Sequence, residues 1–561
     1  MCPELASASS GALGLPTYRR VDYSGEYSRD HGVCSVSTQR PIRNAGSVGI
    51  PQAPTQARLL GRIWLWAIAV AAVAFLFRLI PVLRGGGLFG IGNYDDGVYY
   101  AAATGLVHGL LPYRDFLLLH PPGMPLLLAP FALVAQLTSD SYGFAAARVA
   151  WMVLGAVNAV LIWKVLRPIG LIAAVFGALG YAVFHPAVYS EKSTLLESPA
   201  TTAMLIAMLL LQPLVYDSSL SRTKAIAAGA LLGLTVTIKV WGVITVLIVL
   251  AWLLLLRRFA AALQIMIGSA IAATVICLPF LAAAPTAMWN QVVRDQLARR
   301  GGDDVTALGR LDDMAGLGII GQPHMPITVV AVIALLFCAF LAWSYGEARL
   351  AVLLMVGQGG FLLITPTWFP HFAGFTAASV ALTAGAAIGR LTTLARARPA
   401  KIAIGVVTAI ALLGYASGWK DITYNRPFPE HFRAFTAAAP GCITSDDATA
   451  LVETNSLSRN LSRGCQFIPD LGGHSHDMAA AAGLKVSRNR NLAFQRFALD
   501  YLRGGSVTIL IRYRDGRGFN AKTTGVLDQW PLLGRSGGFQ VRRPVELGRS
   551  AKRESPKPQR R

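Results

Sequence analysis

The sequence predicts an all-α polytopic membrane protein of about 11 transmembrane helices with a small extracytoplasmic α/β domain at its C-terminal end. Three observations predict it. Hydrophobic residues make up 54% of the 561 positions, and the mean hydropathy is +0.49. Apolar runs of roughly 20 residues, the length that crosses a bilayer core, recur from residue 61 to residue 419. They then stop, leaving enough chain for one small soluble domain.

Taken in order, residues 1–60 hold Gly, Ser, Pro and scattered arginines without a sustained apolar period. Such a stretch cannot bury a core, and it lacks the charged start, apolar stretch and small-residue cleavage site of a signal peptide. It is expected to be an uncleaved, disordered cytoplasmic tail. The membrane domain, 61–419, opens with a span at 61–83, followed by an outer loop at 84–143. Further spans are expected at 144–165, 171–188, 201–216, 225–238, 243–256, 263–283, 327–345, 350–368, 372–388 and 402–416. A single helix over 225–256 would bury Lys239 deep in lipid, whereas a turn at Lys239 brings its ammonium to a surface. Two short spans are therefore expected there.

Short basic loops set the orientation. Lys164 with Arg167, Arg222 with Lys224, Arg257 with Arg258, Arg349, and Arg390 through Lys401 fall on alternate turns. Loops rich in Lys and Arg stay cytoplasmic, so the N-terminus is expected inside and the C-terminus outside. Residues 420–547 then form the extracytoplasmic α/β domain, with strands at 442–444 and 506–512 and helices at 448–463 and 490–502. Residues 548–561 read as a basic disordered tail. Of six cysteines, only Cys442 and Cys465 share an oxidising compartment and a loop of plausible length, and a disulfide is expected between them.

The formal charge of +22 raises nucleic acid as a partner. The positive residues are spread over loops, tail and exported domain without an aromatic platform, so nucleic acid is excluded and membrane lipid is the expected neighbour. His474, His476 and Asp477 raise a metal, but no helix-spaced fourth ligand accompanies them, and none is expected.

The chain is organised around residues 93–130, where Asp95 and Asp96 follow the first span and face the outer surface. Outside the cell no nucleotide sugar is supplied, so sugar transfer there draws on a lipid phosphate. Such chemistry needs a carboxylate to take the acceptor proton, and cations to stabilise a phosphate leaving group. Asp-Asp before a helix also reads as an N-cap, and Lys239 as a snorkelling side chain.

The acidic pair followed by tyrosine and small residues (Asp95-Asp96-Gly97-Val98-Tyr99-Tyr100-Ala101), then Tyr113-Arg114-Asp115 and His120-Pro121-Pro122-Gly123, resembles the first outer loop of GT-C glycosyltransferases. These are polytopic enzymes that use polyprenyl-phosphate sugars, and they include protein mannosyltransferases and the aminoarabinose transferases of lipid A. Arg148, Glu191, Glu197, Lys239-Val240-Trp241-Gly242 and Trp368-Phe369-Pro370-His371-Phe372 continue the resemblance, which covers about 61–388. The chain departs from the pattern in having Asp-Asp where many relatives have Asp-Glu, and His120 where several have lysine.

The resemblance implies an inverting glycosyltransferase acting at the outer face of the cell membrane, with a polyprenyl-phosphate sugar as donor and a glycan, glycolipid or protein as acceptor. It makes Asp95 the base and Asp96 its partner in orienting. His120, Lys239, Arg294, Arg299 and His371 become donor-phosphate ligands, and Tyr99, Arg114, Glu191 and Glu197 contacts to sugar or acceptor. No cofactor is required on this reading, the alternative being a divalent cation held by the two aspartates. The Ala-, Arg-, Gly- and Leu-rich composition points to a high-GC actinobacterium, and so to mannose, with arabinofuranose as the competing sugar. A lipid-linked sugar flippase is the alternative from another class, though its charges would lie near the midplane.

Overall fold

The computed structural model describes residues 56–216, 220–299, 305–318, 325–417, 425–516 and 518–545. The expected basic tail at 548–561 and nearly all of the expected N-terminal tail lie outside the described residues.

Within them the membrane domain is helical. The helices are α1 (Gln56–Arg84), α2 (Tyr94–Val107), α3 (Gly123–Leu137), α4 (Asp140–Leu166), α5 (Leu171–Val183), α6 (His185–Glu191), α7 (Glu197–Leu211), α8 (Arg222–Ile238), α9 (Gly242–Leu255) and α10 (Phe259–Ala283). Later come Met325–Ala342, Gly346–Ile364, Gly374–Leu394 and Arg398–Ser417. Among the described residues, eight helices are long and apolar enough to cross a membrane, and the bent pair α5–α6, which turns by 58°, makes a ninth. The remaining two expected spans are α8 and α9, 17 and 14 residues long. They meet at Lys239, as its charge requires. Every expected span thus has its helix, two of them shorter than a full crossing.

The outermost helices face lipid: only 17% of the Met325–Ala342 span and 6% of the Arg398–Ser417 span are buried. In the interior, α8 and α10 press backbone to backbone. A Cβ on Gly229 would come within 2.3 Å of the Ile265 carbonyl, and one on Gly233 within 2.4 Å of the Ser269 carbonyl. Small residues permit this approach, which replaces the hydrophobic drive that lipid does not supply.

Residues 425–545 form the α/β domain. Its four-stranded sheet runs β1 (Ile443–Ser445), β2 (Val507–Leu510), β4 (Phe539–Arg542), β3 (Leu532–Ser536) in spatial order, with β1 parallel to β2 and the other pairs antiparallel. The two expected strands are β1 and β2. The expected helix at 448–463 is instead two short helices, Ala448–Glu453 and Leu457–Ser462. The chain breaks between them at Asn455, whose φ of 53° no α-helix accepts. Cys442 and Cys465 are joined in a disulfide, tying β1 to the end of the second helix.

This domain seats on the loop at 84–143 that follows α1. Ile91 and Arg426 exchange two backbone hydrogen bonds of 2.8 Å, and Gly97 on α2 lies so close to Thr449 that a Cβ there would be 2.2 Å from its hydroxyl. One apolar cluster runs through both, from Val98 and Tyr100 to Ile443, Val452 and Ile509. Helix α2, which carries the acidic pair, is therefore clamped between the bundle and the sheet of the α/β domain.

Candidate active site

Asn93, not an aspartate, caps α2: its side-chain oxygen accepts from the Asp95 amide at 3.0 Å. The two aspartates stand in the first turn, and adjacent helical residues point in different directions. Asp96 turns inward and is fully buried. It accepts from Arg148 Nε at 2.9 Å and Nη2 at 2.7 Å, and from the Thr194 amide and hydroxyl at 2.9 and 2.5 Å. All of its capacity is taken up in holding α2 to α4 and to the turn before α7. Asp95 faces the other way, its side chain 30% exposed, with Nε2 of His371 3.6 Å from its Oδ2. Burial pushes its carboxyl up to about 6 against the opposing pull of Arg299.

Around Asp95 gather residues that lie far apart in sequence. Lys239, at the α8–α9 break, donates to Glu197 at 2.7 Å, and its ammonium lies 4.1 and 4.2 Å from the Trp241 and Phe372 ring centres. Tyr99, one turn along α2 from Asp95, meets the His120 ring edge-on at 5.6 Å. His120 itself is held well below the ordinary histidine range by burial and by Arg299, Lys239 and His371, so it is a neutral imidazole at pH 7. Arg299 caps the short helix Asp295–Ala298, which continues from a π-helical turn at Asn290–Arg294, an irregularity frequent at functional sites. Its guanidinium lies 5.8 Å from the Phe369 ring.

Several buried polar atoms of this group lack a hydrogen-bond partner: Nδ1 of His120, Oε2 of Glu197 and Nε of Arg299. Buried polar groups are normally satisfied. Orphans clustered around one half-open carboxylate mark a place built for a ligand. Beside it, a cavity of about 340 Å³ lined by Trp241, Ile244, Val292, Gln296, Phe361 and Thr365 offers an almost wholly apolar wall.

Of the residues the sequence singles out, Asp95, Tyr99, His120, Glu197, Lys239, Arg299 and His371 come together here. Others do not. Glu191 is sealed between helices by Arg78, Asn158 and Tyr181, with 2.7 Å bonds from the latter two; it neutralises the arginine inside the first span. Arg114 lies at the surface, paired with its neighbour Asp115 at 2.7 Å. Arg294 joins Asp295 at 2.7 Å and Asp477 of the α/β domain at 3.1 Å, so it links the segment around 290–299 to that domain. Asp477 is thereby engaged, and among the described residues no group of three or more His, Cys, Asp or Glu side chains is arranged to hold a metal.

Sequence reasoning missed the wall contributed by the α/β domain. Tyr94 donates to Asp470 at 3.0 Å and accepts from the Gly472 amide at 2.8 Å. Arg488 lies 4.6 Å from the Tyr513 ring centre. Only the position of Tyr94 next to Asp95 hinted at this; Asp470 and Arg488 carry no local signal.

A helical bundle of this topology, with a half-open acid near the start of the loop after the first span and cations opposite, is the arrangement of the GT-C fold. Residues 118–366 match the model of Glycosyltransferase family 87. Among solved structures the chain is similar to ArnT from Cupriavidus metallidurans bound to undecaprenyl phosphate, with a TM-score of 0.57, 12% identity, and coverage of 87% of this chain and 98% of that one. It is also similar to the archaeal oligosaccharyltransferase AglB from Archaeoglobus fulgidus in complex with an inhibitory peptide and a dolichol-phosphate, with a TM-score of 0.51, 12% identity, and coverage of 80% and 70%. These likenesses establish the fold. No curated protein matches the sequence.

Proposed function

We propose that the protein is an inverting glycosyltransferase that moves mannose from a polyprenyl phosphate to an envelope glycan or glycolipid at the outer membrane face. One observation carries this reading: Asp95 alone of the acidic pair remains open, and it faces Lys239, Arg299 and His371, with unpartnered polar atoms around it. The alternating basic loops support a cytoplasmic N-terminus and an outward-facing Asp95.

Asp95 accepts the proton of the acceptor hydroxyl as that oxygen bonds to the anomeric carbon from the face opposite the phosphate. The bond from the anomeric carbon to the phosphate oxygen breaks, and its electron pair leaves with the phosphate, which gains one negative charge. Lys239 and Arg299 face that charge, and the neutral His120 offers one N–H donor. Glu197 accompanies Lys239 into the protein, offsetting the cost of a buried ammonium. The apolar cavity beside Trp241 suits the first isoprene units, and the undecaprenyl phosphate in the similar ArnT structure accords with a lipid phosphate donor.

Transfer of radiolabelled sugar from polyprenyl-phosphomannose in membranes tests the proposal. Wild-type transfer, lowered about 100-fold or more in Asp95→Asn at equal protein level, is the expected result. Transfer from polyprenyl-phosphoarabinose instead would change the sugar, and transfer from neither lipid would overturn the reading.

A further inference from the structure

Beyond the donor ligands, one more cation faces this pocket without a carboxylate in ion-pair contact among the described residues. Arg488, on the short turn Arg488–Arg490 of the exported domain, makes no ion pair among the described residues, and its buried Nε has no hydrogen-bond partner. Tyr513 stacks over the guanidinium, which fixes it without neutralising it. A Cβ on Gly472 would lie 2.9 Å from Arg488 Nη2 and 3.2 Å from Tyr94 Oη, so glycine keeps open the space between these groups. Arg488 is close enough to Asp95 and Asp470 to feel both charges, and His476, held neutral by burial, feels Arg488 and Arg299 together. The pocket thus has two cationic poles. Lys239 and Arg299 stand on the membrane side, and Arg488 stands on the exported side, with Asp95 within electrostatic reach of both.

A polyprenyl-phosphate sugar brings one phosphate, anchored in the membrane and served by the membrane-side pole. A guanidinium that is partly buried, with its sealed Nε unpartnered, is costly, and the cost falls when an anion arrives. We infer that the exported domain supplies an acceptor subsite in which Arg488, beside Tyr94 and Tyr513, binds a phosphate or carboxylate carried by the acceptor. The acceptor is then an anionic glycan or glycolipid, whose charged group holds a neighbouring hydroxyl against Asp95. This rests on the proposed transfer reaction for the identity of the second ligand, but not for the existence of the site.

The test uses the full-length protein in detergent, saturated with undecaprenyl phosphate so that the membrane-side pole is filled, and then titrated with mannose 6-phosphate or mannose. The wild type is expected to bind the phosphorylated sugar about tenfold more tightly than mannose, the size of one charge-assisted contact. Arg488→Gln should lose that preference with its affinity for undecaprenyl phosphate within about twofold of wild type, and Arg488→Lys should restore part of it. A wild type without the preference, or an Arg488→Gln variant that keeps it, overturns the inference. If undecaprenyl phosphate itself fails to bind, the donor assignment fails, and the same comparison without the lipid still decides the role of Arg488. A purely structural Arg488 would lower the melting temperature of the Gln variant and leave the preference intact, which also overturns the inference.

Discussion

Nε2 of His371 and Oδ2 of Asp95 lie 3.6 Å apart, although 276 positions separate them in the chain. The short turn Pro370–Ala373 that opens the Gly374–Leu394 helix holds the imidazole against the start of α2. This contact closes the ring of groups around the one acid left open to a ligand.

The first prediction concerns pH. Burial pushes the Asp95 carboxyl up to about 6, and a base acts only when deprotonated. Transfer should therefore be nearly full above pH 7 and fall about tenfold for each unit below pH 6. A pH–rate profile of kcat/KM in membranes measures this. An acidic limb near pH 4 would show that the carboxyl is not raised in the working enzyme.

The second separates the two aspartates. Asp96→Asn weakens a fully buried pair, and removing a partner from such a pair costs about 3–5 kcal/mol. A lower melting temperature and reduced accumulation in membranes are expected, whereas Asp95→Asn should melt like the wild type while losing transfer. Equal melting of both variants would show that Asp96 does not tie α2 to α4.

A third concerns Glu453, which enters the Asp96–Arg148 cluster from the α/β domain, 3.7 Å from Arg148 and 3.8 Å from Arg433. Burial outweighs both arginines and pushes its carboxyl up to about 8 from 4.5. The folded protein then holds a proton that the unfolded chain releases. Its contribution to stability is full below pH 4.5 and is lost as pH rises to about 8. Thermal melting across that range should show the fall, and Glu453→Gln should flatten it. An unchanged slope in the variant would assign the fall to other groups.

The fourth concerns the disulfide. Cys442 and Cys465 close a loop of 23 positions, and opening a loop of this size costs about 3 kcal/mol. Cys442→Ser with Cys465→Ser should make the exported domain the first part cut by protease in intact spheroplasts. Because that domain clamps α2, transfer should fall with it; protease resistance equal to wild type would contradict this.

The sequence by itself determined the membrane architecture. Apolar runs report burial in lipid directly, whatever their neighbours in space, so all the expected spans have their helices, including the break at Lys239. It also determined the strands at the start and middle of the α/β domain and the Cys442–Cys465 pair, while most of the side chains around Asp95 were named through the resemblance of its motifs to GT-C enzymes.

Tertiary structure alone decided how those charges are used. Asp95 and Asp96 are chemically identical and adjacent, and only the rotation of α2 against Arg148 makes one a buried partner and leaves the other open. Glu191 and Glu197 read alike until Arg78 takes the first and Lys239 the second. Arg488 reaches the pocket through the packing of a separate domain, which no local pattern encodes. Burial in lipid is a property of each segment, whereas pairing between charges depends on distances that the chain sets only once it is folded.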